Sequence, residues 1–274
     1  MAKTRRLIAE NLKDVDVVLE LLDARIPKSS KNPEITKLIG EKPCLTLLNK
    51  ASLADSAVTA EWIKKGDGKD RAALAVDCQT GEGIAKIGPA VRELLAEKIA
   101  RWEAKGMKNK SIRAMIVGIP NVGKSSLINK LSGSKKVRVE DRPGVTLTKQ
   151  WVPTSAGFEL MDMPGILWPK FDDKTTGENL AATGAIRDAI LDTEELASIL
   201  CARLARVAPD KLTARYKLED VDITALSGYD LLTEIGRKRG CLVSGGEVNT
   251  ERAAAIVLDE FRGGKIGRIS LERP

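Results

Sequence analysis

Apolar positions along this chain have two textures. In the first, short, mostly apolar runs alternate with amphipathic stretches. The runs cover residues 15–22, 44–48, 73–76 and 112–117. Apolar runs this short, each leading into a loop or a helix, predict strands buried on both faces, as in a parallel sheet. A further pair, near residues 148–152 and 158–161, predicts the strands that complete the sheet. Between the runs the spacing turns helical. Val91, Leu94, Leu95, Ile99 and Trp102 share one face of a helix ending near Lys105-Gly106, and Leu127, Ile128 and Leu131 share a face of another. This alternation predicts a doubly wound α/β sheet with its ligand at the carboxyl ends of the strands.

After Trp168-Pro169-Lys170 strand patterns cease. Helical spacing takes over in Leu196, Ile199, Leu200 and Leu204, then Leu226, Leu231, Leu232 and Ile235, then Ala254, Ile256, Val257 and Phe261. Gly240 and Gly245-Gly246 mark turns between these helices. The expected organisation is an α/β domain over residues 1–174 and a small all-helical domain over residues 175–274. The boundary falls near residues 172–176.

The 274 residues suffice for one large domain or two ordinary ones, and 43% apolar with 30% charged residues describes a soluble globular chain. No apolar run reaches about 18 residues, so no transmembrane helix is expected. Glu10, Asp14 and Asp16 interrupt the short apolar pieces behind the basic start, which does not fit a signal peptide. Cys44, Cys78, Cys201 and Cys241 are far apart and histidine is absent. That argues against zinc and suits a reducing cytoplasm. From Thr175 onward 14 Lys and Arg face 16 Asp and Glu, so residues 1–174 carry +9 of the net +7. The excess clusters at Lys3/Arg5/Arg6, at Lys105/Lys108/Lys110/Arg113 and at Lys135/Lys136/Arg138. Such patches attract polyanions, RNA among them; solvated lysines that keep the protein soluble are the alternative. At 3% aromatic residues, RNA contact is expected to phosphate or to shape rather than by stacking.

Gly118-Ile119-Pro120-Asn121-Val122-Gly123-Lys124-Ser125 is a phosphate-binding loop between a strand and an amphipathic helix. Its backbone N–H groups can wrap a phosphate, Lys124 can reach the β- and γ-phosphates, and Ser125 can ligate Mg²⁺. Candidate nucleotide contacts are Asn121, Val122, Gly123, Lys124, Ser125 and Ser126. Downstream, Asp162-Met163-Pro164-Gly165 ends an apolar run. Asp162 there can hold Mg²⁺ through water, and the Gly165 N–H can contact a γ-phosphate. In the loop between, Arg142-Pro143-Gly144-Val145-Thr146, Thr146 is the candidate second Mg²⁺ ligand. A plain turn is the alternative for each. The candidate catalytic set is Lys124, Thr146 and Gly165.

Upstream, Asn49-Lys50-Ala51-Ser52 resembles the N-K-x-D sequence that reads guanine, with Ser52 where a carboxylate accepts two hydrogen bonds from the base. Loss of such a charge-assisted bond costs about 1.5–3 kcal/mol, so weaker guanine affinity and selectivity are expected. Asp55 is a less suitable substitute. Asp77 and Cys78, in Asp77-Cys78-Gln79-Thr80-Gly81, sit where backbone N–H groups would contact the base carbonyl. Asp23-Ala24-Arg25 reads either as functional or as an acidic strand end paired with Arg25. Arg237-Lys238-Arg239 reads either as an RNA contact or as a cationic helix C-terminus.

Base-reading elements thus precede the phosphate loop, which is a circular permutation of a P-loop GTPase domain. That order, together with residues 22–27 (LDARIP), Asn49-Lys50, GIPNVGKSSLIN, DRPGVT, DMPGILWPK, RGCLVSGG and GRISLE, resembles the YlqF/RbgA-type ribosome biogenesis GTPases over essentially the whole chain. The resemblance implies GTP/GDP and Mg²⁺ binding, with slow hydrolysis stimulated by an immature large ribosomal subunit. The large subunit and its rRNA are the implied partners. A cytoplasmic monomer with no membrane or DNA partner is expected. Asn121 matches a position that helps coordinate K⁺ in potassium-dependent GTPases, or else it tightens the loop. Where many GTPases carry a water-orienting glutamine, this chain has Ile166. The family instead looks to a histidine just upstream of a Met-Ala-Lys segment. The sequence begins at Met1-Ala2-Lys3, so a natural start farther upstream is expected, and the polypeptide as written should bind nucleotide but turn it over poorly. The competing expectation is a GTP/GDP-sensing RNA-binding assembly factor with negligible hydrolysis.

Overall fold

The computed structural model describes residues 2–66, 68, 70–107, 110–133, 151–163, 165, 167–168, 171, 173–186 and 192–274, with backbone alone for residues 2–5 and 162. The chain runs α1 (Ala2–Asn11), β1 (Val17–Asp23), α2 (Pro27–Ser30), α3 (Pro33–Ile39), β2 (Cys44–Asn49), α4 (Ser56–Gly66) and β3 (Arg71–Ala75). It continues through α5 (Ile87–Leu94), α6 (Ala96–Ala104), β4 (Arg113–Gly118), α7 (Lys124–Leu131), β5 (Val152–Pro153) and β6 (Glu159–Asp162). The remaining described elements are helices: α8 (Lys174–Ala182), α9 (Thr193–Val207), α10 (Pro209–Tyr216), α11 (Gly228–Lys238) and α12 (Thr250–Arg262).

The strands form one sheet in the order β3-β2-β1-β4-β6-β5, parallel except for the edge strand β5. All seven residues of β1 are buried. Val17, Leu19 and Leu21 join the core shared with α5 and α7, while Val18 packs on the other face with Ile8, Met115 and Val117. A strand covered on both faces needs a mostly apolar run, and β1 has one apart from Glu20, whose carboxylate lies 3.7 Å from Lys31 Nζ, and the terminal Asp23.

Several elements add to or differ from the sequence reading. The expected helix through Trp102 is split at Leu95 (φ −103°, ψ 11°) into α5 and α6. Leu95 N–H still bonds Val91 and Ile99 N–H still bonds Leu95, so the apolar face continues across a local unwinding. β5 is described as Val152–Pro153, and residues 148–150 of the expected run lie outside the described residues. Helices α1 to α4, α8 and α10 were not singled out in the sequence. α8 is capped by Asp173, whose Oδ1 accepts from the Thr176 N–H at 2.7 Å, and α10 opens on Pro209 at its first position.

A second core, with Leu200, Leu204, Leu231, Leu232, Val257 and Phe261, gathers α9 to α12. The two cores are stitched together. Leu180 and Ala185 belong to the first. Arg25, only 1% exposed, grips Asp23 with two bonds (Nε to Oδ1 at 2.9 Å, Nη2 to Oδ2 at 2.7 Å) and lies 5.3 Å over the Phe261 ring of α12. Near the chain's end, the Glu272 carboxylate accepts from the Lys28 N–H (2.7 Å) and the Ser29 N–H in α2 and from Asn179 Nδ2 of α8 (2.9 Å). All four cysteines are buried and free. Among the described residues no helix is long and apolar enough to cross a membrane.

Candidate nucleotide-binding site

The sheet register brings the motif-bearing strand ends to one edge. Asp23 lies opposite Asn49, Leu21 opposite Gly118 and Ile116 opposite Asp162. From β1 the chain crosses to β2 on one side, and from β4 it crosses to β6 on the other. The crevice between β1 and β4 is therefore the topological switch point, where open α/β sheets bind ligands. Asp23, Lys50, Ile119, Pro120, Asn121, Val122, Thr183 and Ala185 line one cleft there.

The phosphate loop leaves β4 and enters α7 through Asn121 (φ 57°) and Gly123 (φ 107°). A side chain at Gly123 would collide with Asn49 Nδ2, so glycine is required by close approach as well as by conformation. Asn49 is the joint between the two halves of the site. Its Nδ2 donates to the Val122 carbonyl at 2.7 Å, and its Oδ1 accepts from the Cys78 N–H at 3.0 Å. One buried amide thus ties the base loop, the phosphate loop and the loop after β3. Such double bonding inside a low-dielectric interior fixes geometry firmly.

Lys124 Nζ donates to the Gly118 and Ile119 carbonyls at 3.3 and 3.0 Å, which holds the ammonium inside the loop. Gly165 reaches the same place. A Cβ built on it would lie 2.6 Å from Lys124 Nζ and 2.9 Å from Pro120 N. Ser125 and Ser126 occupy the first turn of α7, where a helix N-terminus favours an anion. Asp162 ends β6 beside β4. Thr146 and Ile166 lie outside the described residues, as do Lys108 and the cluster Lys135/Lys136/Arg138.

Lys50 adopts the left-handed region (φ 59°), and its Nζ is 3.1 Å from Asp23 Oδ2. Burial alone raises the Asp23 carboxyl, but Arg25 and Lys50 outweigh it and hold the group well below the usual carboxylate range. Asp23-Ala24-Arg25 is thus a paired strand end that also anchors the base-loop lysine. Ser52 donates to Asp77 Oδ2, and Asp77 Oδ1 accepts from the Gln79 and Thr80 N–H groups. Asp55 caps α4 through the Ala57 and Val58 N–H groups, so it is committed away from the base position. Asn121 Nδ2 donates to the Gly184 carbonyl at 3.0 Å, joining the phosphate loop to the segment after α8. Arg237, Lys238 and Arg239 pair with Glu234, Asp220 and Glu260.

Sequence reasoning missed Arg268. From beyond α12 it donates to the Ala54 and Ala51 carbonyls of the base loop at 3.0 and 3.1 Å. No local pattern marks a residue whose partners lie more than two hundred positions away. A wider groove of about 550 Å³ lies apart from the motifs, lined by Arg92, Trp102, Lys110 and Phe158 among others.

Comparison with known proteins bears on the family and the fold. A family profile described as "50S ribosome-binding GTPase" matches residues 113–224, the stretch that starts with β4 and the phosphate loop. The chain superposes on GDP-bound TM YlqF with a TM-score of 0.70 at 26% identity, covering 98% of this chain and 99% of that one. GNP-bound YlqF from T. maritima gives 0.68 at 26% identity, covering 99% and 98%. Ribosome biogenesis GTPase A of Bacillus licheniformis is 46% identical over 274 residues, all of this chain and 96% of the relative. With its base-reading half ahead of the phosphate loop in one permuted sheet, the chain belongs to the ribosome biogenesis GTPase A family.

Proposed function

We propose that this protein is a GTP-hydrolysing assembly factor for the large ribosomal subunit. The observation that carries the reading is Asn49, whose amide bonds both the Cys78 N–H and the Val122 carbonyl and so couples base recognition to phosphate binding. The described residues fit a Mg²⁺-nucleotide: Gly165 is packed so closely on Lys124 and Pro120 that only a bare backbone fits. Ser125, Asp162 and Thr146 would hold the cation, which when bound neutralises charge on the phosphate oxygens. Lys124 and the Gly165 N–H act on the γ-phosphoryl group, and the first turn of α7 with Ser126 receives the phosphates. Asn49, Lys50, Ser52, Asp77 and Cys78 form the base end. Asn121, whose nitrogen holds the Gly184 carbonyl, would supply its amide oxygen to K⁺.

Residues 1–174 form the nucleotide-switching domain and residues 175–274 the helical domain that, with the basic face, meets rRNA. Lys98 and Lys110 lie 5.5 and 4.4 Å over the Trp102 ring, and Lys110 and Arg92 line the wide groove. That cationic surface suits a phosphate backbone. The protein works as a cytoplasmic monomer. Intrinsic turnover is low, because Ile166 cannot orient water. The same residue, with Ser52 in place of a carboxylate, favours a second reading, a GTP/GDP-sensing RNA-binding factor with negligible hydrolysis.

Single-turnover GTP hydrolysis in K⁺ and in Na⁺, with large or small ribosomal subunits added, separates the readings. Stimulation by large subunits in K⁺ supports the enzyme. Nucleotide-dependent subunit binding without stimulation supports the sensor. ATP binding as tight as GTP binding overturns both.

A further inference from the structure

Ser52 stands where N-K-x-D has its base-reading carboxylate, and the nearest carboxylate to it is Asp77. That carboxylate is already full. Oδ1 accepts from the Gln79 N–H at 2.8 Å and the Thr80 N–H at 2.9 Å, while Oδ2 accepts from the Ser52 hydroxyl and, at 3.3 Å, from the Ser52 N–H. An ionised carboxylate has about four acceptor sites and no hydrogen to give. Burial raises the Asp77 carboxyl, but these bonds, led by the one from Ser52, bring it below its ordinary value, so it is ionised at neutral pH. Asp77 therefore offers the base nothing directly.

Its effect falls on Ser52. A hydroxyl has one hydrogen, and Asp77 can only accept, so that hydrogen is held in the Ser52–Asp77 bond. What remains on Ser52 Oγ is lone pairs. We infer that Asp77 is a specificity-determining positioning residue: by capturing the Ser52 hydrogen it makes Ser52 Oγ an obligatory acceptor, which selects guanine over xanthine. Guanine presents N1–H and the C2 amine, both donors. Xanthine presents a C2 carbonyl, whose lone pairs would face those of Ser52. A hydroxyl at liberty to rotate would serve either base, so the discrimination belongs to the pair and not to Ser52 alone. The arrangement relocates the negative charge of N-K-x-D one residue back from the base and transmits it through a hydroxyl.

This inference rests on the guanine-nucleotide reading of the site. Its test is Asp77→Asn in the full chain, with dissociation constants for GDP, XDP and ADP measured by calorimetry. The amide oxygen keeps the bonds from Gln79 and Thr80. The Nδ2 that then faces Ser52 is a donor, so Ser52 must accept from it and its own hydrogen is released toward the base. The expected result is a GDP-over-XDP preference in the wild type that drops by about tenfold or more in Asp77→Asn, the worth of roughly one hydrogen bond exchanged for a mismatch. Ser52→Ala tests the same pair from the other side. It should lose the preference, and adding Asp77→Asn to it should leave the ratio unchanged. Equal weakening of GDP and XDP in Asp77→Asn, or an unaltered ratio in Ser52→Ala, overturns the inference and leaves Asp77 a loop cap. Wild-type ADP binding as tight as GDP binding overturns instead the guanine reading beneath it.

Discussion

Arg268 holds both ends of the base loop, with Nε donating to the Ala54 carbonyl at 3.0 Å and Nη2 to the Ala51 carbonyl at 3.1 Å. Its neighbours reinforce the grip: the Ile269 N–H bonds the Leu53 carbonyl, and the Asp55 N–H bonds Ser270 Oγ. The segment after α12 is therefore bonded to residues 51–55, so helical packing and the order of that loop are mechanically joined. Arg268→Ala should destabilise the fold by about 1–3 kcal/mol, the range for losing charge-assisted bonds to backbone. It should also weaken GDP binding several-fold. Thermal unfolding with and without GDP reads both effects. A lower melting temperature with unchanged GDP affinity would show that the tail supports the fold alone.

Gly165→Ala should damage turnover more than binding. The added methyl would stand 2.6 Å from Lys124 Nζ and 2.9 Å from Pro120 N. The lysine end can move aside, but the Pro120 backbone cannot without disturbing the phosphate loop. On the proposed role of Gly165 at the γ-phosphoryl group, GDP affinity should change little while GTP hydrolysis falls by about 10²-fold, the usual scale for losing one transition-state donor. Equal losses in GDP affinity and hydrolysis would place the damage in the loop itself.

Asp23→Asn should be among the most destabilising single changes. It leaves the buried Arg25 guanidinium without its charge partner and releases Lys50. Breaking one side of a buried ion pair costs about 3–5 kcal/mol. A urea midpoint measurement checks this. Replacing Asp23 and Arg25 together by apolar residues should recover part of the loss, since no orphan charge then remains.

Acid should loosen the helical half through Glu260. Its carboxylate takes bonds from Arg215 at 2.9 and 2.6 Å and from Arg239 at 2.7 and 2.9 Å. The Arg215 bonds above all, against the opposing effect of burial, bring it from 4.5 down to about 2. A carboxyl lowered on folding stabilises the folded state above its unfolded value, near 4.5. That stabilisation drains away as pH falls through 2. Glu260→Gln should therefore be less stable than wild type at neutral pH, with the gap closing between pH 4.5 and 2. A gap independent of pH would show that Glu260 acts through packing.

Much of the frame was legible from the residues in order. Mostly apolar runs placed the strands within a few positions, because burial on two faces favours apolar side chains whatever the partners are. The phosphate loop, the late position of that loop and the helical texture after Trp168 were equally local, and the permuted order followed from them. Asp173 and Pro209 also carried helix-start signals, which the apolar periodicity overshadowed. What tertiary structure alone decided is which polar atoms meet. Ser52 read in isolation is a lost carboxylate; beside Asp77 it is a hydroxyl whose hydrogen is held. Asn49 read in isolation is half a base motif, whereas in the sheet edge it bonds two other loops. Hydrophobic burial is non-directional and shows in the pattern of one segment, but a hydrogen bond depends on distance and angle between atoms far apart in sequence. The chain's order of residues determined the strands and the phosphate loop, and the closure of the sheet and tail determined which polar atoms meet around that loop.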